Sequence, residues 1–150
     1  VDLPDPKSSD LARLYSKEFY MMARKSLSRG GSIVTQATSP MFAREAFLCI
    51  FKTMRATGMP TSAFHTHIPT MGEWGWIIAI NIGNTDLDLK EHLRTLPMDM
   101  VDTVFLDRDA VKGLTSFGKD MFLTLPETKV NSEHNLILPR LYHGGRWDLY

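Results

Sequence analysis

The chain has 150 residues, 43% hydrophobic and 23% charged, and its 17 basic side chains balance 17 acidic ones. That length and composition suit one domain with one core, and the neutral balance gives no push toward nucleic acid or an anionic membrane surface. A lone cysteine, Cys49, excludes an internal disulfide and any multi-cysteine metal site, and no stretch approaches the roughly 18 apolar residues of a membrane span.

Val1-Asp2-Leu3 reads as the tail of a buried strand. Asp2-Leu3-Pro4-Asp5-Pro6 cannot be helix interior, because two prolines remove donors and bias the residues before them to extended backbone. Lys7 to Asp10 supplies helix N-cap residues. Leu11, Tyr15, Phe19 and Met22 then recur at helical spacing and predict one helix, ended by Gly30-Gly31. Gly31 to Thr38 is a predicted buried strand centred on Ile33 and Val34. Ser39-Pro40 has the form of an N-cap followed by proline at the first helical position. Ala43, Phe47, Ile50 and Met54 continue as a second amphipathic helix, closed by Gly58. Ser62 to Ile68 and Trp74 to Ile82 read as strands whose short connection makes them antiparallel neighbours.

The resulting order is β-α-β-α-β-β, an α/β fold. Two helical crossovers imply parallel strands with helices on the faces, and the final hairpin adds an antiparallel edge. Beyond Gly83 the pattern weakens. Asp88 to Leu93 and Asp107 to Gly113 suggest short helices, and Asn131 to Tyr150 is an irregular tail. Its Leu136, Ile137, Leu138, Leu141, Tyr142 and Trp147 argue that it packs on something. The chain is therefore expected to divide into residues 1–83 and a helical and irregular extension, 84–150, packed on them.

In an open α/β sheet, ligands sit beyond the carboxyl ends of the strands. Asp2 and Asp5 follow one expected strand end, and Gln36 and Thr38 stand at the next. Two carboxylates and an amide around one crevice suit a cationic ligand, and a carboxylate can also accept the proton of an attacking amine. Asp2 and Asp5 could equally cap backbone donors in a proline turn, and Gln36 could serve a structural hydrogen bond. His65 and His67 share a strand face, but no third metal ligand is placed, so packing or exposure is the plainer reading. Cys49 reads as core. Trp74 and Trp76 face one side of a strand, where an aromatic could wall a pocket.

At Asp2-Leu3-Pro4-Asp5-Pro6 the sequence begins to resemble the spermidine synthase family of polyamine aminopropyltransferases. The likeness continues through Leu14-Tyr15-Ser16-Lys17-Glu18-Phe19-Tyr20, Val34-Thr35-Gln36-Ala37-Thr38-Ser39-Pro40, Ile68-Pro69-Thr70 and Gly72-Glu73-Trp74-Gly75-Trp76. Val130-Asn131 and Pro139-Arg140-Leu141-Tyr142 resemble the tail of a subgroup whose catalytic domain follows membrane helices. The resemblance implies a partial Rossmann-like, methyltransferase-like sheet. It implies transfer of an aminopropyl group from decarboxylated S-adenosylmethionine, as co-substrate, to a diamine such as putrescine, giving spermidine and methylthioadenosine without metal or other cofactor. By resemblance Asp2 helps deprotonate the attacking amine. Asp5 holds the diamine, Leu3 and Pro4 complete that loop, Gln36 contacts the diamine, and Trp74 lines its channel.

Val1, not Met, opens directly on the motif, and the family's glycine-rich loop and acidic ribose-binding residue precede this segment. The chain is thus expected to be the C-terminal half of a catalytic domain, inactive alone. Its expected partners are the two small molecules and copies of itself in a homo-oligomer, with no nucleic acid and no membrane contact by this segment. The parent is expected on the cytoplasmic side, anchored in the cell membrane. Met71 stands where many members have Tyr, and Ser8-Ser9 where many have proline near the adenine. The competing readings are a related-fold S-adenosylmethionine-dependent methyltransferase and a non-catalytic interaction domain.

Overall fold

The computed structural model describes residues 1–83, 85–98 and 102–143. Three strands, β1 (Ser32–Gln36), β2 (Thr61–Ile68) and β3 (Gly72–Ile80), form a sheet in the order β1-β3-β2. β3 pairs antiparallel with both neighbours, Gln36 facing Trp76 on one side and Phe64 facing Trp76 on the other. The hairpin of β2 and β3 is the one the short connection predicts. Its placement differs from expectation: β3 inserts between β1 and β2, so β2 and not β3 is the outer strand. β1 and β2 still run the same way, as a helical crossover requires. Val1 lies alongside β1, its amine donating to the Val34 carbonyl at 2.6 Å and its carbonyl accepting from the Gln36 N–H at 3.2 Å. One residue bridging two positions of its neighbour is a parallel pairing.

The single helix expected from Leu11 up to Gly30-Gly31 is two helices, α1 (Ser9–Arg13) and α2 (Lys17–Ser26). The break comes at Ser16, which is fully buried and caps α2 by accepting from the Phe19 N–H at 3.2 Å. The Lys17 N–H meanwhile leaves the helix to donate to the Asn131 carbonyl at 2.9 Å. A serine that offers its own acceptor competes with helix continuation. Met22, placed by periodicity on the apolar face, is exposed for the same reason. Ser39 also acts differently from expectation. It accepts from the Met41 and Phe42 N–H groups and closes a separate turn, and α3 (Arg44–Arg55) begins only at Arg44.

α3 is buried nearly all round, from Ala46 through Phe51 and again at Thr53 and Met54. Such a helix needs cover on both sides. The sheet supplies one side: Ile33, Ala63, Ile77 and Ala79 join Phe47, Leu48, Ile50 and Met54 in the core. Gly75 allows the close approach, since a Cβ there would stand 2.5 Å from the Phe47 ring. The second side comes from α2 and from segments beyond residue 83. α4 (Leu89–Thr95) and α5 (Arg108–Leu114) start at Asp88 and Asp107, whose carboxylates cap them as the sequence suggests. Phe117 packs on Phe47 and Phe122 on Phe51. Arg44 pairs with Asp120 at 3.0 Å, and the Lys52 ammonium donates to the Leu125 and Pro126 carbonyls.

A last helix, α6 (Leu138–His143), puts Leu138 and Tyr142 into the same core, with Leu136, Ile137 and Leu141 partly buried against it. Trp147, expected to pack with them, lies outside the described residues. The anchor of this tail is Asn131, fully buried. Its side-chain amide donates to the Ala12 and Tyr15 carbonyls at 2.8 and 3.1 Å, and its oxygen accepts from the Ile137 and Leu138 N–H groups. The segment from Asn131 to Leu138 is thereby tied to the junction of α1 and α2.

Candidate functional site

The loop after Val1 is extended because Pro4 and Pro6 forbid helix, and it is fixed through its carbonyls. The Tyr15 hydroxyl sits 2.9 Å from the Leu3 oxygen and 3.2 Å from that of Pro4, so its single proton serves one or the other. The Gln36 amide NH2 donates to the Leu3 carbonyl and to the Tyr15 oxygen, 3.3 Å away. Its Oε1 accepts from the Trp74 indole N–H at 3.0 Å. Gln36 thus braces three elements: the proline loop, the α1–α2 junction and β3. Both of its donors are engaged, and one lone pair of Oε1 remains for anything else.

β1 ends at a strained residue. Thr38 has φ +64°, a left-handed conformation that costs a β-branched residue on the order of 1–3 kcal/mol. The strain is held by the Gly75 N–H donating to the Thr38 carbonyl at 2.8 Å, and by the Ala37 N–H donating to the Gly75 carbonyl at 2.8 Å. On the far side, the β2–β3 turn closes with the Met71 N–H on the Ile68 carbonyl and Gly72 at φ +72°.

Between these parts lies a cleft of about 410 Å³, lined by Asp5, Phe42, Pro69, Thr70, Met71, Gly72 and Trp74. Asp5 is the charged member of this lining. Its carboxyl is raised above the ordinary 3.8, because burial penalises the anion; the Lys7 charge and a hydrogen bond from Tyr142 act in the other direction. The Tyr15 hydroxyl is pushed up to about 12, first by burial, while the Gln36 contact opposes and the charges of Asp5 and Asp2 add to the rise. Both carboxylates therefore act on one phenol. Among the described residues neither Asp2 nor Asp5 accepts a backbone N–H, so neither is the turn cap that the sequence left open.

Of the residues singled out in the sequence, Asp5 and Trp74 meet in the cleft. Leu3 and Gln36 stand behind it as its support, with Pro4 in the same loop. Asp2 is exposed and is not part of the cleft lining. Trp74 presents its ring while its N–H is consumed by Gln36. His65 is committed elsewhere: Nδ1 meets the Glu73 carboxylate, Nε2 lies 2.6 Å from the Ser116 carbonyl, and the ring packs on Phe117 at 4.3 Å. His67 is exposed, and among the described residues no group of three His, Cys, Asp or Glu could hold a metal. Cys49 is buried, its thiol pushed up to about 12 by desolvation, and it packs as core.

Three participants went unnoticed in the sequence. Tyr15 and Tyr142 read there only as apolar spacing and packing. The signal was present, since a buried tyrosine hydroxyl needs a partner, but the partner's identity was not. Phe42 had no signal; it reaches the cleft because the turn at Ser39 delays α3.

The α/β layout of helices on this three-stranded sheet matches solved proteins of methyltransferase-like fold. Superposition agrees: a spermidine synthase in complex with the transition-state analogue AdoDATO matches with a TM-score of 0.57 at 15% identity, covering 77% of this chain and 40% of that one. The Thermotoga maritima spermidine synthase matches with the same score and coverage at 16% identity. At such identities the likeness is one of fold.

The family follows from sequence. Residues 1–91 match the spermine/spermidine synthase domain. The whole chain is 39% identical to a polyamine aminopropyltransferase of Oceanobacillus iheyensis, covering 28% of that protein. Over 98% of the chain it is 34% identical to the Shewanella oneidensis enzyme of the same name, covering 25% of it. The chain belongs to the spermine/spermidine synthase family. It spans only about a quarter of the length of these curated relatives.

Proposed function

We propose that this chain is the amine-binding part of a polyamine aminopropyltransferase, a fragment that takes the acceptor amine while the remainder of the protein supplies most of the nucleotide site. The observation that carries the reading is Asp5, a partly buried carboxylate in a cleft walled by Phe42, Met71 and Trp74. A desolvated carboxylate is costly to keep in a fold unless it meets a cation. An alkyl chain carrying an ammonium satisfies both the charge and the apolar walls.

In this scheme the Asp5 carboxylate binds the acceptor's ammonium. Asp2, exposed at the start of the same loop, takes the proton of the attacking amine. The neutral amine displaces the thioether from the aminopropyl carbon of decarboxylated S-adenosylmethionine. The carbon–nitrogen bond forms as the carbon–sulfur bond breaks, and its electron pair neutralises the sulfonium to give methylthioadenosine. Leu3 and Pro4 set the loop's path. Gln36 holds that loop to Trp74. Proton acceptance by a placed carboxylate contributes roughly 100- to 10,000-fold, and alignment of amine and carbon supplies much of the rest.

The test uses the protein encoded by the full open reading frame, with putrescine and decarboxylated S-adenosylmethionine, and follows methylthioadenosine. Asp2→Asn is expected to lower kcat by at least about 100-fold, and Asp5→Asn to raise KM for the amine. Undiminished turnover in both variants would remove the assignment.

A further inference from the structure

The cleft carboxylate has one partner from the opposite end of the chain. Tyr142, on α6, points its hydroxyl at Asp5 Oδ1, 3.4 Å away and 137 residues distant in sequence. The rest of that ring is buried in the core beside Leu138. Its place is set by the Asn131 anchor, which holds the start of the tail to the α1–α2 junction, the same junction from which Tyr15 reaches the proline loop. The strained Thr38 completes the surround. Its buried hydroxyl lies beside the Tyr142 hydroxyl.

We infer that Tyr142 is a positioning residue for Asp5, and that the segment from Asn131 to α6 is a working part of the amine cleft. The inference rests on the amine-binding reading for its functional meaning and on the contact alone for its physical content. Tyr142 does not line the cleft, so it acts through the carboxylate and not on the ligand. It can only donate to Asp5 while protonated. Burial, followed by the Asp5 charge, drives its ionisation far above the working range, so the donor is permanent. A donor on one carboxylate oxygen fixes the rotation of the group and directs the other oxygen into the cleft. It also favours the anion: the Tyr142 contact opposes the burial that raises Asp5. A contact of 3.4 Å is long for a hydroxyl donor and leaves room to shorten when a cation enters, as catalytic hydrogen bonds do on ligand binding.

Tyr142→Phe removes one oxygen and keeps the buried ring, so the fold is retained. Two measurements on the full-length protein test the inference. The first is independent of catalysis: the Asp5 carboxyl, labelled with carbon-13 and followed by NMR, is titrated in the parent and in Tyr142→Phe. The midpoint is expected to move to higher pH in the variant; an unmoved midpoint overturns the inference. The second follows methylthioadenosine formation with putrescine. KM for the amine is expected to rise roughly three- to tenfold, as for loss of one long charge-assisted hydrogen bond, with kcat nearly unchanged. The acid limb of kcat/KM is expected to shift upward. A fall in kcat alone, with KM and the acid limb unmoved, overturns it. If Asp5→Asn abolishes amine binding while Tyr142→Phe changes neither measurement, the inference fails and the functional reading stands. If the midpoint moves but neither protein turns over putrescine, the coupling stands and the functional reading fails.

Discussion

Asn131→Ala is the substitution that most directly probes how this chain is held together. Asn131 has no exposed surface and spends its whole side chain on four backbone groups. After truncation two of them keep some relief: the Ala12 carbonyl still accepts from the Tyr15 N–H, and the Leu138 contact is already long at 3.5 Å. The Tyr15 carbonyl and the Ile137 N–H are left without another partner among the described residues. Each buried orphan costs about 1–3 kcal/mol, and partial entry of water lowers the sum, so a loss of about 3 kcal/mol is expected. That is a large share of the 5–15 kcal/mol typical of a domain. With a urea m-value near 2 kcal/mol/M, the unfolding midpoint falls by roughly 1.5 M. Tryptophan fluorescence reads the transition, because Trp74 is buried. Asn131→Asp supplies a control with a sign. Its carboxylate would face the Ala12 and Tyr15 carbonyls, so it destabilises at neutral pH, and part of the loss returns in acid, where a carboxylic acid can donate. A change below about 1 kcal/mol for the alanine variant would refute the reasoning, because a mean hydrogen bond alone is worth that much.

Gly75→Ala should destabilise by about 1–3 kcal/mol, toward the upper end, since its Cβ would meet the buried Phe47 ring and the Thr38 carbonyl, neither free to retreat; thermal unfolding measures it. Tyr15→Phe keeps the ring but leaves the Leu3–Pro4 loop and Gln36 short of a partner. The expected outcome is faster amide exchange in residues 1–6 with a stability loss of about 1 kcal/mol. Asp5→Asn should stabilise the protein at neutral pH. The folded Asp5 is raised above 3.8, so its contribution is favourable below that value and is lost as pH rises through the raised folded value. The advantage of the asparagine variant should therefore shrink as pH falls toward 3.8, and melting curves across that range would show a pH-independent difference, or none, if burial of Asp5 were harmless.

Local chemistry made a good part of this molecule legible. Asp88 and Asp107 announce α4 and α5 because a capping carboxylate works within its own turn. The hairpin of β2 and β3 follows from two strand-forming runs and a short link, and the proline-bounded loop at Asp2 to Pro6 is extended whatever surrounds it. Where local signals competed, the sequence misled. Ser16 looks like an ordinary member of a helix until the Asn131 carbonyl, 115 positions away, claims the Lys17 N–H. Ser39-Pro40 looks like a helix start, yet it closes its own turn and leaves α3 to begin at Arg44.

What the residues alone determined was the inventory: an α/β chain, an acidic loop at a strand end, and kinship with the aminopropyltransferases. Periodicity, prolines and caps act over a few residues and can be read without knowing the rest. Tertiary structure decided the arrangement. It set β3 between β1 and β2, gave Gln36 its partners in the proline loop and on Trp74, and brought Tyr142 from the tail to Asp5. Those outcomes depend on which buried polar groups find partners across long stretches of chain, and that matching exists only once the core has closed.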